Sequence, residues 1–287
     1  MAEQTGDLLD LIREHESRLS SKKRAIAKYI LDHPIETAFL TARELAQRSG
    51  VSEPTVVRFA ADLGFKGYPK LREALHWLAQ GRLTTVERLK EYHRHLEDSE
   101  APAIKAILMD MHNLEETLHN LDITGVQRVV EEIVTADKII IIGSRMSSIL
   151  AEFMRMVLKK SLDCEVTTVT SPSDFFHEEL AYSPKKTLVV GIGFPRYTRL
   201  TVEYLKMAHD EGFRTVAITD SELSPLVEYA DHVLLARYGI ISYIDSFTAP
   251  FSLISAIGTA VSLRMEPQIL KRLERLERMW REHNVFY

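Results

Sequence analysis

From Lys138 onward the hydrophobic period changes, and that change dictates most of what this chain can become. Five short runs rich in β-branched and apolar residues (Lys138–Ile142, Glu165–Val169, Thr187–Ile192, Arg214–Thr219 and His232–Ala236) alternate with helical stretches at 146–160, 173–181, 198–211 and 224–229. Strands that are apolar along their whole length are buried on both faces, and their alternation with helices predicts a doubly wound α/β unit with a five-stranded parallel sheet. An apolar helix over 249–264 and a charged amphipathic one over 266–283 complete the layers. Ligands of such sheets sit at the carboxyl ends of the strands, where loops lead into helix N-termini.

The first 80 residues follow a helical period instead, and a chain of 287 residues has room for two domains at about 150 residues each. Leu19, Ile26, Ile30 and Leu31 share one face of a helix over 18–32 that Pro34 ends. Thr41 and Glu44 have the spacing of a capping box, and the short helix they open stops at Gly50. Ser52 is placed to cap the next helix, with Pro54 in its first turn, and that helix runs through Val56, Val57 and Phe59 to Gly64. Two short helices joined at Gly50 predict a helix-turn-helix, with Ala46 small at the crossing and Leu45, Val51, Val56 and Phe59 as its core. The second helix then presents Ser52, Glu53, Thr55 and Arg58, with Lys66, Tyr68 and Lys70 just beyond it. That pattern suits recognition of double-stranded DNA, the first turns facing base edges and the cations holding phosphates.

Charge supports the division. Arg18 to Arg72 holds 11 Lys/Arg against 5 Asp/Glu, although the whole chain is net −5. A basic segment on an acidic body implies that one domain meets a polyanion. Between the two, residues 82–123 read as a charged helical linker broken at Pro102, in which Ile104, Leu108, Met111, Leu114 and Leu118 form a stripe with the period of an oligomerisation face. His93, His95, His112 and His119 lack the spacing of metal ligands and read as surface or packing residues. A single cysteine, Cys164, excludes an internal disulfide framework. No secretory signal opens the sequence, and Ala249–Leu263 is too short and too polar to span a membrane, so a soluble cytoplasmic protein is expected, with no metal and no cofactor.

Two loops carry the chemistry of the second domain. The first predicted strand runs into Gly143-Ser144-Arg145-Met146-Ser147-Ser148, which sets three hydroxyls beside the N–H groups of the next helix, a plausible phosphate cradle. The third runs into a loop from Gly191 to Arg199 that adds Arg196, Tyr197 and Thr198.

The stretch 19–75, with SEPTVVRF and LGFKGY as its most specific parts, resembles the DNA-binding part of the RpiR (MurR/RpiR) family of bacterial regulators. IIIIGSRMSS (139–148), TVAITDSELSPLVEYAD (215–231) and SYIDSFTAP (242–250) resemble the sugar isomerase (SIS) domain that follows it in that family. The resemblance implies a helix-turn-helix domain over 1–81, the linker over 82–123, and an SIS domain over 124–287 with a flavodoxin-like strand order. It implies a regulator that binds operator DNA as a homodimer or homotetramer and senses a phosphorylated sugar or related anionic metabolite without transforming it. It places the phosphate on hydroxyls of these two loops, with Ser147 matching the family's serine, and the effector is expected at Ser144, Arg145, Ser147, Ser148, Arg196, Tyr197 and Thr198, with no catalytic residue. The second loop departs from the family's Ser-x-Ser-Gly-x-Thr run, since glycines 191 and 193 stand for the serines. Backbone N–H groups can serve in their place, and Arg196 can pair bidentately with phosphate or carboxylate, which admits a sugar acid as the effector. The alternative is an SIS-type sugar-phosphate isomerase, which would need a general base such as His177, Glu178 or Glu179.

Overall fold

The structure, a computed structural model, describes residues 8–82, 84–96, 101–173, 175–240 and 244–286. The chain divides into two compact units, one up to residue 90 and one from residue 91.

The first unit is helical: α1 (Leu8–Glu16), α2 (Ser21–Asp32), α3 (Pro34–Phe39), α4 (Ala42–Arg48), α5 (Glu53–Asp62) and α6 (Tyr68–Arg82), with α7 (Thr85–Leu96) running across the division. Ile26, Ile30, Leu45, Phe59, Leu71 and Leu75 meet at its centre with no exposed surface. Pro34 does more than end a helix, because its fixed φ and missing N–H suit a first helical position and it opens α3. The capping box forms as read: Thr41 Oγ1 accepts from the Glu44 amide at 3.2 Å, and the Thr41 amide donates to Glu44 Oε2 at 2.7 Å. A second box, not anticipated, joins Thr84 and Glu87 at the head of α7. These hydrogen bonds hold the carboxyls of both glutamates below the usual range. Gly50 takes φ +67°, a left-handed conformation open to glycine, and the Val51 amide closes the turn on Ala46 O at 2.9 Å.

In the second unit α8 (Pro102–His119) and α9 (Ile123–Thr135) precede a five-stranded sheet in the order β2-β1-β3-β4-β5, parallel throughout. Its strands are β1 (Lys138–Ile142), β2 (Glu165–Val169), β3 (Thr187–Ile192), β4 (Arg214–Thr219) and β5 (His232–Leu235). Successive residues of β1 face opposite ways: Ile139 and Ile141 enter one core, and Ile140 and Ile142 the other. The first core is covered by α9, α10 (Ser147–Ser161) and α13 (Thr248–Arg264), the second by α11 (Phe176–Ala181) and α12 (Arg199–Asp210). That is the doubly wound arrangement. α14 (Glu266–Glu282) follows α13, and a short antiparallel pair, β6 (Gly239–Ile240) and β7 (Asp245–Ser246), lies between β5 and α13.

The segment set apart as a linker is shared between the units. α8 packs on α13 and β6 in the second, where Asp110 accepts hydrogen bonds from the hydroxyls of Ser246 and Thr248, and Thr117 Oγ1 accepts from the Arg237 amide at 2.8 Å. The side chains of His93 and His95, and residues 242 and 243 of the third SIS-like stretch, lie outside the described residues.

Candidate functional site

On the first unit, α4 and α5 flank the Gly50 turn. Ser52, Glu53 and Arg58 are exposed on α5, and Lys66 and Lys70 are exposed beyond it, with Lys70 Nζ 2.8 Å from Glu73. Two of the residues expected on this surface face inward. Thr55 is buried, because its hydroxyl lies 2.8 Å from Ser52 Oγ and is satisfied there; Ser52 accordingly does not cap the helix. Tyr68 is buried too, its ring in the core and its hydroxyl donating to Leu40 O at 2.8 Å, and burial pushes its pKa up to about 12. Val57, read as part of the apolar run, is 43% exposed on the same helix, where a branched apolar group can meet a thymine methyl.

On the second unit, β1 and β3 are neighbours whose chains lead away in opposite directions, β1 to β2 and β3 to β4. The crevice at their carboxyl ends is the switch point of the sheet. The two loops expected there do meet, since Ser144 Oγ donates to Thr198 Oγ1 at 2.8 Å and Thr198 Oγ1 lies 2.9 Å from Thr201 Oγ1. Ser147, the first residue of α10, is buried, and its hydroxyl makes no hydrogen bond to another described residue. Ser148 turns its hydroxyl back to Arg145 O at 2.6 Å, and its amide bonds the same carbonyl at 3.1 Å, so this residue closes the turn instead of lining the cradle. Arg145, at φ +55°, and Arg196 are exposed. Tyr197 donates its hydroxyl to Asp220, immediately after β4. Sequence reasoning passed over Asp220, although it sits in the quoted stretch 215–231. Burial pushes its carboxyl up to about 6, against the opposing pull of Tyr197, Thr219 and Arg237.

The glycines of the second loop are packed against leucine side chains that would have to shift to admit a Cβ. A Cβ on Gly191 would come 2.9 Å from Leu205 Cδ2, and one on Gly193 would come 2.8 Å from Leu226 Cδ1. Counted back from Thr198, the hydroxyl that reaches the first loop, a Ser-x-Ser-Gly-x-Thr run places its serines at positions 193 and 195, not 191 and 193. Gly193 and Pro195 occupy them here. The residues named for isomerase chemistry fall elsewhere: His177 and Glu178 are exposed on α11, and Glu179 pairs at 2.9 Å with Lys138 at the amino end of β1, opposite to the crevice. Among the described residues no three His, Cys, Asp or Glu side chains are grouped to hold a metal ion, and no helix is long and apolar enough to cross a membrane.

The helix-turn-helix domain of the rpiR family matches residues 6–81, and the SIS domain matches residues 132–260. The chain belongs to the RpiR family. Relatives of this RpiR-family chain carry regulator names. An uncharacterized HTH-type transcriptional regulator of Haemophilus influenzae is 27% identical over 80% of each chain, and the HTH-type transcriptional regulator HexR of Pseudomonas aeruginosa is 26% identical over 94% of each. Among solved structures, the sugar isomerase domain of an RpiR transcription factor from Sphaerobacter thermophilus is 27% identical with a TM-score of 0.60, covering 62% of this chain and 99% of that one. The Vibrio vulnificus NanR protein, complexed with ManNAc-6P, shares the fold at 20% identity and a TM-score of 0.57, covering 95% of this chain and 97% of that one.

Proposed function

We propose that this chain is a sequence-specific DNA-binding transcriptional regulator whose SIS domain senses a phosphorylated sugar or sugar acid. The observation that carries the reading is the union, in one RpiR-family chain, of an exposed second helix with its cations and a hydroxyl-lined switch-point crevice spanned by Ser144 and Thr198. Arg58, Ser52, Glu53 and Val57 face the DNA, and Lys66 and Lys70 hold its backbone. Thr55 and Tyr68 support that surface from within. Ser147 and Thr198 hold the phosphate, with Arg145 and Arg196 at the rim. That NanR is complexed with ManNAc-6P on the same fold supports a sugar phosphate as the ligand class.

The effector acts by population shift: it binds one arrangement of the sensing unit better than another and so biases DNA affinity, for which coupling of about 1–3 kcal/mol is enough. The protein works in the cytoplasm as a homodimer or homotetramer. The exposed apolar face of α8, with Ile104 at 60%, Leu108 at 55% and Met111 at 51%, supports assembly. The test is titration of the protein with its own upstream DNA, with and without a panel of sugar phosphates. Sequence-selective binding whose affinity changes with one phosphorylated ligand is expected. Turnover of any hexose phosphate would favour the isomerase instead.

A further inference from the structure

Asp220 occupies a place that neither packing nor the phosphate cradle explains. It follows β4 directly, with the loop after β3 on one side and the residues after β5 on the other, because Gly193 N bonds Ile218 O at 3.1 Å and Ala236 N bonds Thr219 O at 2.8 Å. Both nearby hydroxyls, from Tyr197 and Thr219, go to the same oxygen, Oδ1. Oδ2 accepts no hydrogen bond from another described residue. Arg237, the cation beyond β5 whose charge also acts on Asp220, lies 3.8 Å from Glu116 on α8. Among the described residues, this half-buried carboxylate is thus held by one oxygen and has no hydrogen-bond donor at the other. The second oxygen is not among the buried unsatisfied atoms, so it remains accessible to a donor from outside the protein at the carboxyl ends of the strands.

Its position relative to the cradle sets what it can read. Tyr197, which holds Asp220, directly precedes Thr198, which meets Ser144, so both groups are tied to the loop after β3 at the carboxyl ends of the strands. A ligand whose phosphate sits at Ser147 and Thr198 meets Asp220 if its carbon chain runs from β1 and β3 toward β4. A carboxylate there gains from a hydroxyl or ammonium donor and is repelled by a second carboxylate.

We propose that Asp220 is the specificity-determining residue of the crevice: it accepts a hydrogen bond from a hydroxyl or amino group on the sugar half of the effector and turns away ligands that present a carboxylate there. This rests on the function proposed above and narrows its ligand class from sugar acids to neutral and amino sugar phosphates.

The test is calorimetric titration of the full-length protein and of Asp220→Asn with inorganic phosphate, glucose 6-phosphate, glucosamine 6-phosphate and 6-phosphogluconate near neutral pH. Thermal melting serves as the check that the variant is folded. The wild type is expected to bind one of the two sugar phosphates at least about tenfold more tightly than the acid, the scale of one charge-assisted hydrogen bond. Asp220→Asn is expected to keep the affinity for inorganic phosphate while the preference over the acid collapses. A preference that survives in Asp220→Asn, equal binding of all three carbon ligands, or a wild type that favours 6-phosphogluconate overturns the assignment. A protein in which Ser147→Ala weakens phosphate binding but Asp220→Asn changes nothing keeps the crevice and loses this inference. A wild type that binds none of the four loses both.

Discussion

Ser144 donates its hydroxyl to Thr198 at 2.8 Å although 54 residues separate them in sequence. That bond joins the loops after β1 and β3 into one rim. Beside it stands Ser147, a buried residue whose hydroxyl no described residue engages, so that donor is available to a ligand. Ser147→Ala is expected to weaken the DNA-binding response to the effector by about tenfold while leaving DNA affinity without effector unchanged. Titration of labelled operator DNA at fixed protein and increasing effector reads this directly; an unaltered response removes Ser147 from the site.

Arg58 is exposed on α5 beside Ser52 and Glu53. Arg58→Ala is expected to cost about 1–3 kcal/mol in operator binding. Competition with non-specific DNA at one salt concentration separates the two roles: equal loss on both DNAs identifies a phosphate contact, and loss confined to the operator a base contact.

Tyr68 and Thr55 are buried, unlike the exposed Arg58. Removing the hydroxyl that reaches Leu40 O, in Tyr68→Phe, is expected to lower stability by about 0.5–1.5 kcal/mol. Operator affinity measured well below the melting temperature stays at the wild-type value. Weaker DNA binding in a fully folded Tyr68→Phe would return this side chain to the interface.

Asp220 also makes stability depend on pH in a known direction. Its folded pKa of about 6 lies above the ordinary 3.8. The folded protein therefore holds this proton more tightly than the unfolded chain does, and stability from this group falls as pH rises from the ordinary value through about 6. Asp220→Asn is expected to flatten that part of the melting-temperature profile. An identical slope in the variant assigns the pH dependence to other groups.

Four of the five strands were legible to the residue, because each is a short run rich in β-branched and apolar residues bounded by loops that need polar atoms, with every position buried only in the central strand, β3. The β6–β7 pair was not, since two residues per strand carry no period. Pro34 showed that one residue can close a helix and open the next. The inward turn of Thr55 and Tyr68 depended on partners that the pattern of residue types does not reveal: a hydroxyl three residues away and a carbonyl 28 residues away. Asp220 was missed for the same reason, as its environment is assembled from the ends of three strands. The crevice loops were readable because glycine and serine after a strand carry their own geometry, yet the closure of Gly193 by Leu226 is a fact of packing alone.

The grip of α8 on the sheet domain fixes where that domain can be cut. Asp110 receives Ser246 and Thr248 at the head of α13, and Thr117 receives the backbone after β5. A fragment begun at residue 124 discards both acceptors and bares the first turn of α13 to water, whereas one begun ahead of Pro102 retains them. The sensing half thus owns the last stretch of its own connector, and a tug on that helix is felt first where α13 begins.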